Sequence, residues 1–166
     1  METDKKSELL ALARVLSNTR YALIGGLAMQ LYQDEPRTTL DIDLALGKSE
    51  LLPRDALLSA GFAETGRFAH SDNWLGPGGT PVQFTDDPLI AESVERARVW
   101  EIDGVTVKVL ARADLLQAKL RAGSDPARRR SKRLVDIADA IELIEQEPAL
   151  KSTISAEHAA LLAKLP

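Results

Sequence analysis

Between Thr38 and Leu46 the chain reads TTLDIDLAL, and the alternation within it leaves few choices of local structure. Leu40, Ile42, Leu44 and Leu46 alternate with Asp41, Asp43 and Ala45, the period of a half-buried strand. Side chains two apart on a strand share a face, so Asp41 and Asp43 should point the same way. Two like charges side by side repel unless a cation lies between them or water screens them. An exposed strand face with two solvated acids would give the same pattern, so the surrounding residues must choose between these readings.

Around that strand the chain alternates helix and strand. SELLALARVL (7–16) is amphipathic and predicts a helix; RYALIGG (20–26) is a short apolar strand ending in two glycines. LAMQLYQD (27–34) predicts a helix starting directly after them, closed by Pro36. Residues 49–61 read as a helix with Pro53 in its first turn and Gly61 as its stop. Residues 62–85 suggest short antiparallel strands, TPVQFT (80–85) the best of them, and 88–98 reads as a helix. Asp103-Gly104 between VWEI and GVTVKVL is a strong hairpin signal. Residues 111–122, about 126–146 and about 155–164 predict helices. The expected architecture is α+β in one domain over 1–166: a small mixed sheet flanked by helices (about 18–110) and a helical C-terminal part (about 111–166).

Composition narrows the chemistry. With 166 residues and 45% hydrophobic content the chain can bury a core without staples. It has no cysteine, which excludes disulfides and thiolate metal sites, and its two histidines, His70 and His158, lie far apart in sequence. The start METDKKSELL is charged and does not resemble a leader, and no run approaches a membrane span, so the expectation is a cytoplasmic protein with no membrane partner. The net charge of −4 argues against indiscriminate nucleic-acid binding, yet residues 119–133 gather seven cations against the single acid Asp125. Such a run serves either as a solvated helix face or as a surface for phosphates.

Three features converge near the acidic strand. The strand–Gly25-Gly26–helix junction suits a phosphate, because a helix N-terminus offers free backbone N–H groups; a tight turn needing positive φ would use the same residues. Asp41 and Asp43 follow on the next strand, where they could hold Mg²⁺ against a triphosphate. Arg37, Thr38 and Thr39 put a cation and hydroxyls just before the acids.

GGLAMQLYQDEPRTTLDIDLAL resembles the signature of the DNA polymerase β-type nucleotidyltransferase superfamily, and more closely the branch of AbiEii-type toxins from toxin–antitoxin and abortive-infection systems. The matching residues are Gly25, Gly26, Ala28, Arg37, Thr39, Asp41 and Asp43. VTVKVLARADLLQAKLRA resembles the family's strand and helix with an inward lysine, here Lys119. RSKRLVDIADAIEL resembles the helix that follows, with Lys132 and Asp136 at matching positions and Arg133 where an acid is common. The resemblance spans roughly residues 18–145 and implies an enzyme that transfers a nucleoside monophosphate from an NTP. It implies Mg²⁺ (or Mn²⁺) on Asp41 and Asp43, phosphates at Gly25, Gly26, Arg37, Thr39 and Lys119, an RNA or protein acceptor, and a cognate antitoxin. Its third carboxylate is missing: the corresponding triplet is Val82-Gln83-Phe84, placing Gln83 where an acid is expected, with Asp86 or Asp87 as substitutes in another register.

Physics adds one argument of its own. Lys119 falls within the apolar arc of Leu115, Leu116 and Leu120, so its ammonium needs a polar destination or must snorkel to water. Asp136 lies off the arc of Leu134, Ile137, Ala138, Ile141 and Ile144, with Lys132 four residues away as an available partner. Trp74 and Trp100 read as core or rim residues. The sequence thus leaves three readings: a nucleotidyltransferase, a weak or inactive nucleotide- or RNA-binding module of the same fold, and a protein-interaction scaffold.

Overall fold

The structure is a computed structural model that describes residues 3–165. These form two compact units, one of residues 3–31 and 35–111, the other of residues 32–34 and 112–165.

The first unit is built on a seven-stranded mixed sheet flanked by helices, the α+β architecture expected from the sequence. Its strands are β1 (Tyr21–Ile24), β2 (Ile42–Leu46), β3 (Ala63–Arg67), β4 (Ser71–Leu75), β5 (Pro81–Thr85), β6 (Arg98–Ile102) and β7 (Val105–Val109), in the order β3-β4-β5-β2-β1-β7-β6. The region 62–85 supplies three antiparallel-linked strands, and β5 then runs parallel to β2. Central strands are apolar because both of their faces are covered: Ala22, Leu23, Ile42, Leu44 and Ala45 are wholly buried. Asp103 and Gly104 both have positive φ (49° and 74°), the geometry a two-residue hairpin needs to match strand twist.

The helices of this unit are α1 (Thr3–Val15), α2 (Gly25–Tyr32, whose last residue falls in the other unit), α3 (Arg54–Ser59) and α4 (Pro88–Ala91). The helix expected over 88–98 is only one turn of α-helix, started by the Asp87 side chain accepting from the Leu89 N–H at 2.9 Å. It tightens into a 3₁₀ segment at Glu92–Arg96 and gives way to β6 at Arg98. The acidic strand is also shorter than expected. It begins at Ile42, and Leu40 is 78% exposed instead of facing a core, so Asp41 precedes the strand and only Asp43 lies within it.

The second unit contains α5 (Arg112–Ser124), α6 (Arg130–Gln146), a 3₁₀ segment (Pro148–Thr153) and α7 (Ala156–Ala163). Helices α5 and α6 approach so closely at Gly123 that a β-carbon there would lie 2.6 Å from Ile137 Cγ1. Among the described residues no helix is long and apolar enough to cross a membrane.

Candidate active site

Chain geometry brings the glycine pair to the acids. Strand β1 pairs antiparallel with β2, setting Ile24 opposite Asp43, and α2 begins at the next residue. The glycines form the first turn of α2 instead of preceding it. Gly25 has φ +67°, in the left-handed region that costs a side-chain-bearing residue strain. Space forbids a side chain as well: a β-carbon on Gly25 would stand 2.3 Å from Asp43 Oδ2, and one on Gly26 would stand 2.8 Å from Thr39 Oγ1. That second position is also 3.6 Å from Arg37 Nη1. Gly25, Gly26, Arg37, Thr39 and Asp43 therefore meet at one place.

The loop before β2 is tied down at several points. Gln30 Nε2 in α2 donates to the Arg37 carbonyl at 2.7 Å. The Thr39 hydroxyl donates to Asp41 Oδ1 at 3.0 Å, which fixes one carboxylate oxygen of an otherwise exposed acid. The Lys5 ammonium in α1 donates to the Thr39 carbonyl.

Gln83 lies beside Asp43. The parallel β2–β5 pairing sets Asp43 against Gln83, and the antiparallel β5–β4 pairing continues the row to Asn73. Gln83 Nε2 donates to Asn73 Oδ1 at 3.3 Å, so the row reads acid, amide, amide, half-buried at Asp43 and Asn73 and exposed at Gln83. The acids considered as substitutes lie elsewhere: Asp87 caps α4, and Asp86 Oδ1 sits 3.1 Å from His70 Nδ1. No group of three or more His, Asp or Glu side chains suited to a metal ion occurs among the described residues. Mg²⁺ commonly takes one or two carboxylates and completes its shell from water and phosphate oxygens.

Lys119 belongs to the second unit, and its surroundings there are well defined. It is 7% exposed, with its ammonium 3.0 Å from Asp136 Oδ1 and 2.7 Å from Asp139 Oδ2. Asp136 is correspondingly buried, and its other oxygen accepts from Arg128 Nε at 2.7 Å. This corrects the expectation that Asp136 turns away from the packed face toward Lys132. The buried side of α6 is Asp136, Ile137, Asp139, Ala140, Leu143 and Ile144, while Leu134 is 52% exposed. The apolar arc misleads because two of the inward residues are acids whose cation comes from α5.

Sequence reasoning misses Asn73, Lys5 and Glu8. Nothing local marks Asn73, whose neighbour is set by strand pairing. Lys5 and Glu8 do leave a signal: positions 5, 8, 9, 12 and 16 follow helical spacing, and all five are buried.

No protein-family profile and no curated protein sequence matches the chain. Solved structures do. An antigenic nucleotidyltransferase-like protein from Paracoccidioides brasiliensis superposes with a TM-score of 0.64 at 24% identity, over 98% of this chain and 89% of that one. The antibiotic-resistance factor ANT(2'')-Ia gives 0.56 at 16% identity, over 96% of each chain. The Megavirus polyadenylate synthase gives 0.56 at 15% identity, over 87% of this chain and 32% of its own. The chain therefore has the nucleotidyltransferase fold.

Proposed function

We propose that the protein is a nucleotidyltransferase that moves a nucleoside monophosphate from an NTP to an acceptor hydroxyl. The observation that supports this most is the meeting of Asp43 with Gly25, where a β-carbon would stand 2.3 Å from the carboxylate. A solvated strand face would not need a glycine turn packed against its acid. In this reading Asp41 and Asp43 hold Mg²⁺ or Mn²⁺, which when bound neutralises charge on the triphosphate and the leaving pyrophosphate. The Gly25-Gly26 amides and Arg37 bind phosphate oxygens, and Thr39 orients Asp41. The acceptor oxygen forms a bond to the α-phosphorus as the α–β phosphate bond breaks. The acceptor proton passes to solvent, since the Gln83 amide beside Asp43 cannot take it.

The finer assignment follows from the motif running from Gly25 to Asp43: an AbiEii-type toxin in the cytoplasm, with an RNA or protein acceptor and a cognate antitoxin. The motif's inward lysine, Lys119, would neutralise triphosphate charge together with Arg37; its ammonium here lies against Asp136 and Asp139. A second reading, a nucleotide-binding module with little or no turnover, is favoured by Gln83 standing in register with Asp43. Incubation with each labelled NTP, Mg²⁺, and total RNA or lysate tests both. Transfer that disappears in Asp41→Asn supports the enzyme; binding without transfer supports the module; neither binding nor transfer leaves the scaffold.

A further inference from the structure

Helix α1 buries two charges that nothing in its own sequence requires. Lys5 and Glu8 are 5% and 4% exposed, on the same stripe as Leu9, Leu12 and Leu16. Burial of charge is unfavourable unless each group finds a partner, and both find one in a loop. The Lys5 ammonium donates to the Thr39 carbonyl. Glu8 Oε1 accepts the Gly78 N–H at 2.6 Å and lies 2.1 Å from where a Gly76 β-carbon would be. Only glycine lets the 76–80 turn come this close.

The two loops occupy equivalent places. Thr39 is three residues before the start of β2, and Gly78 is three residues before the start of β5. Strands β2 and β5 are parallel neighbours with Ile42 against Val82, so both loops enter the sheet at the same end. Lys5 and Glu8 are one helical turn apart and share a face. One turn of α1 is therefore fastened to the entry of the strand carrying Asp43 and to the entry of the strand carrying Gln83.

We infer that Lys5 and Glu8 are positioning residues, which set Asp43 against Gln83 and hold Thr39 on Asp41 by clamping the two strand entries to one helix turn. This deepens the nucleotidyltransferase reading and rests on it. Lys5 acts through Thr39, whose hydroxyl reaches Asp41 and whose side chain fills the space over Gly26. Glu8 acts through the 76–80 turn on the row Gln83–Asn73. An apolar contact at these positions would let α1 slide along the loops, whereas hydrogen bonds to single backbone groups fix one position. Glu8 Oε2 has no hydrogen-bond partner among the described residues, and Glu8 Oε1 accepts from the Gly78 N–H.

Hydrogen exchange by mass spectrometry on the full chain, together with calorimetry using Mg²⁺ and each of the four NTPs, tests this. Lys5→Met should speed exchange in 38–43 and leave 76–80 unchanged; Glu8→Ala should do the reverse. Loss of one hydrogen bond to a charged group implies roughly a tenfold loss of Mg²⁺–NTP affinity in Lys5→Met, with Lys5→Arg recovering most of it. Leu143→Val, a core change in α6 of the second unit, is the control for general destabilisation and should alter neither readout selectively. Should Lys5→Met fail to fold, Lys5→Gln takes its place. Exchange that rises in both loops equally, or no more than in Leu143→Val, overturns the inference. If the wild type binds no nucleotide, the functional reading fails, and segment-specific exchange still decides whether the clamps exist.

Discussion

Asp43 rests on Gly25 so closely that a β-carbon on the glycine would come within 2.3 Å of Oδ2. Gly25→Ala must therefore move the acid as well as strain the backbone at φ +67°. The backbone term alone is about 1–3 kcal/mol. We expect a loss of at least that size in urea denaturation, and Mg²⁺–NTP binding that falls below detection by calorimetry. Unchanged binding in Gly25→Ala would show that Asp43 does not serve a nucleotide.

Gln83 stands next to Asp43 in the β2–β5 pairing, so Gln83→Asp sets two carboxylates side by side. Without metal their repulsion should lower the melting temperature; added Mg²⁺ should restore it, and more strongly than in wild type. If the new acid also accepts the acceptor proton, transfer should rise roughly hundred- to ten-thousand-fold. A melting temperature indifferent to Mg²⁺ in this variant would argue against a metal site at Asp43.

Lys119 joins α5 to α6 through two buried acids, Asp136 and Asp139. Removing the cation takes the Lys119 ammonium away from two carboxylates that are 4% and 3% exposed. Lys119→Met should cost about 3–5 kcal/mol by chemical denaturation. Adding Asp139→Leu should cost less than the sum of the single changes, because Lys119 and Asp139 are in direct contact and share one interaction. Strict additivity would mean that the pair contributes nothing.

Tyr21 predicts a limit on alkaline stability. Burial pushes its phenol above the usual 10.0, and the Lys108 N–H donating to its oxygen at 3.3 Å offsets part of that rise. The neutral phenol is favoured more in the folded than in the unfolded chain. Its contribution is thus complete below the unfolded value and is lost as pH climbs through the folded one. Urea denaturation at increasing alkaline pH should show stability falling above about pH 10, with a shallower fall in Tyr21→Phe.

Features that rest on neighbours in the chain are legible in the residues themselves. The Asp103-Gly104 turn needs two positive φ values, and both residues have them. The apolar strands β1 and β2 and the glycine pair between them follow from period and residue type alone. The family resemblance, not the pattern of residues, implies the Val82-Gln83-Phe84 triplet beside the acids, and strand pairing sets Gln83 against Asp43. Less is legible at element ends. The helix expected over 88–98 shrinks because its apolar residues fit a short turn leading into β6, and periodicity does not report where hydrogen bonding changes.

Taken alone, the sequence specifies a local grammar: which segments bury an apolar face, where the chain must turn, and that two acids follow a glycine turn. The partner of each buried polar group is instead settled by the assembled fold. Lys5 meets the Thr39 carbonyl across 34 residues, Glu8 meets Gly78 across 70, and Lys119 meets Asp136 across 17. The hydrophobic pattern of a single element records how often it is covered, since burial is nearly indifferent to which apolar atoms do the covering. A hydrogen bond or ion pair demands one donor and one acceptor at a fixed distance, and strands and helices brought together from distant parts of the chain supply them.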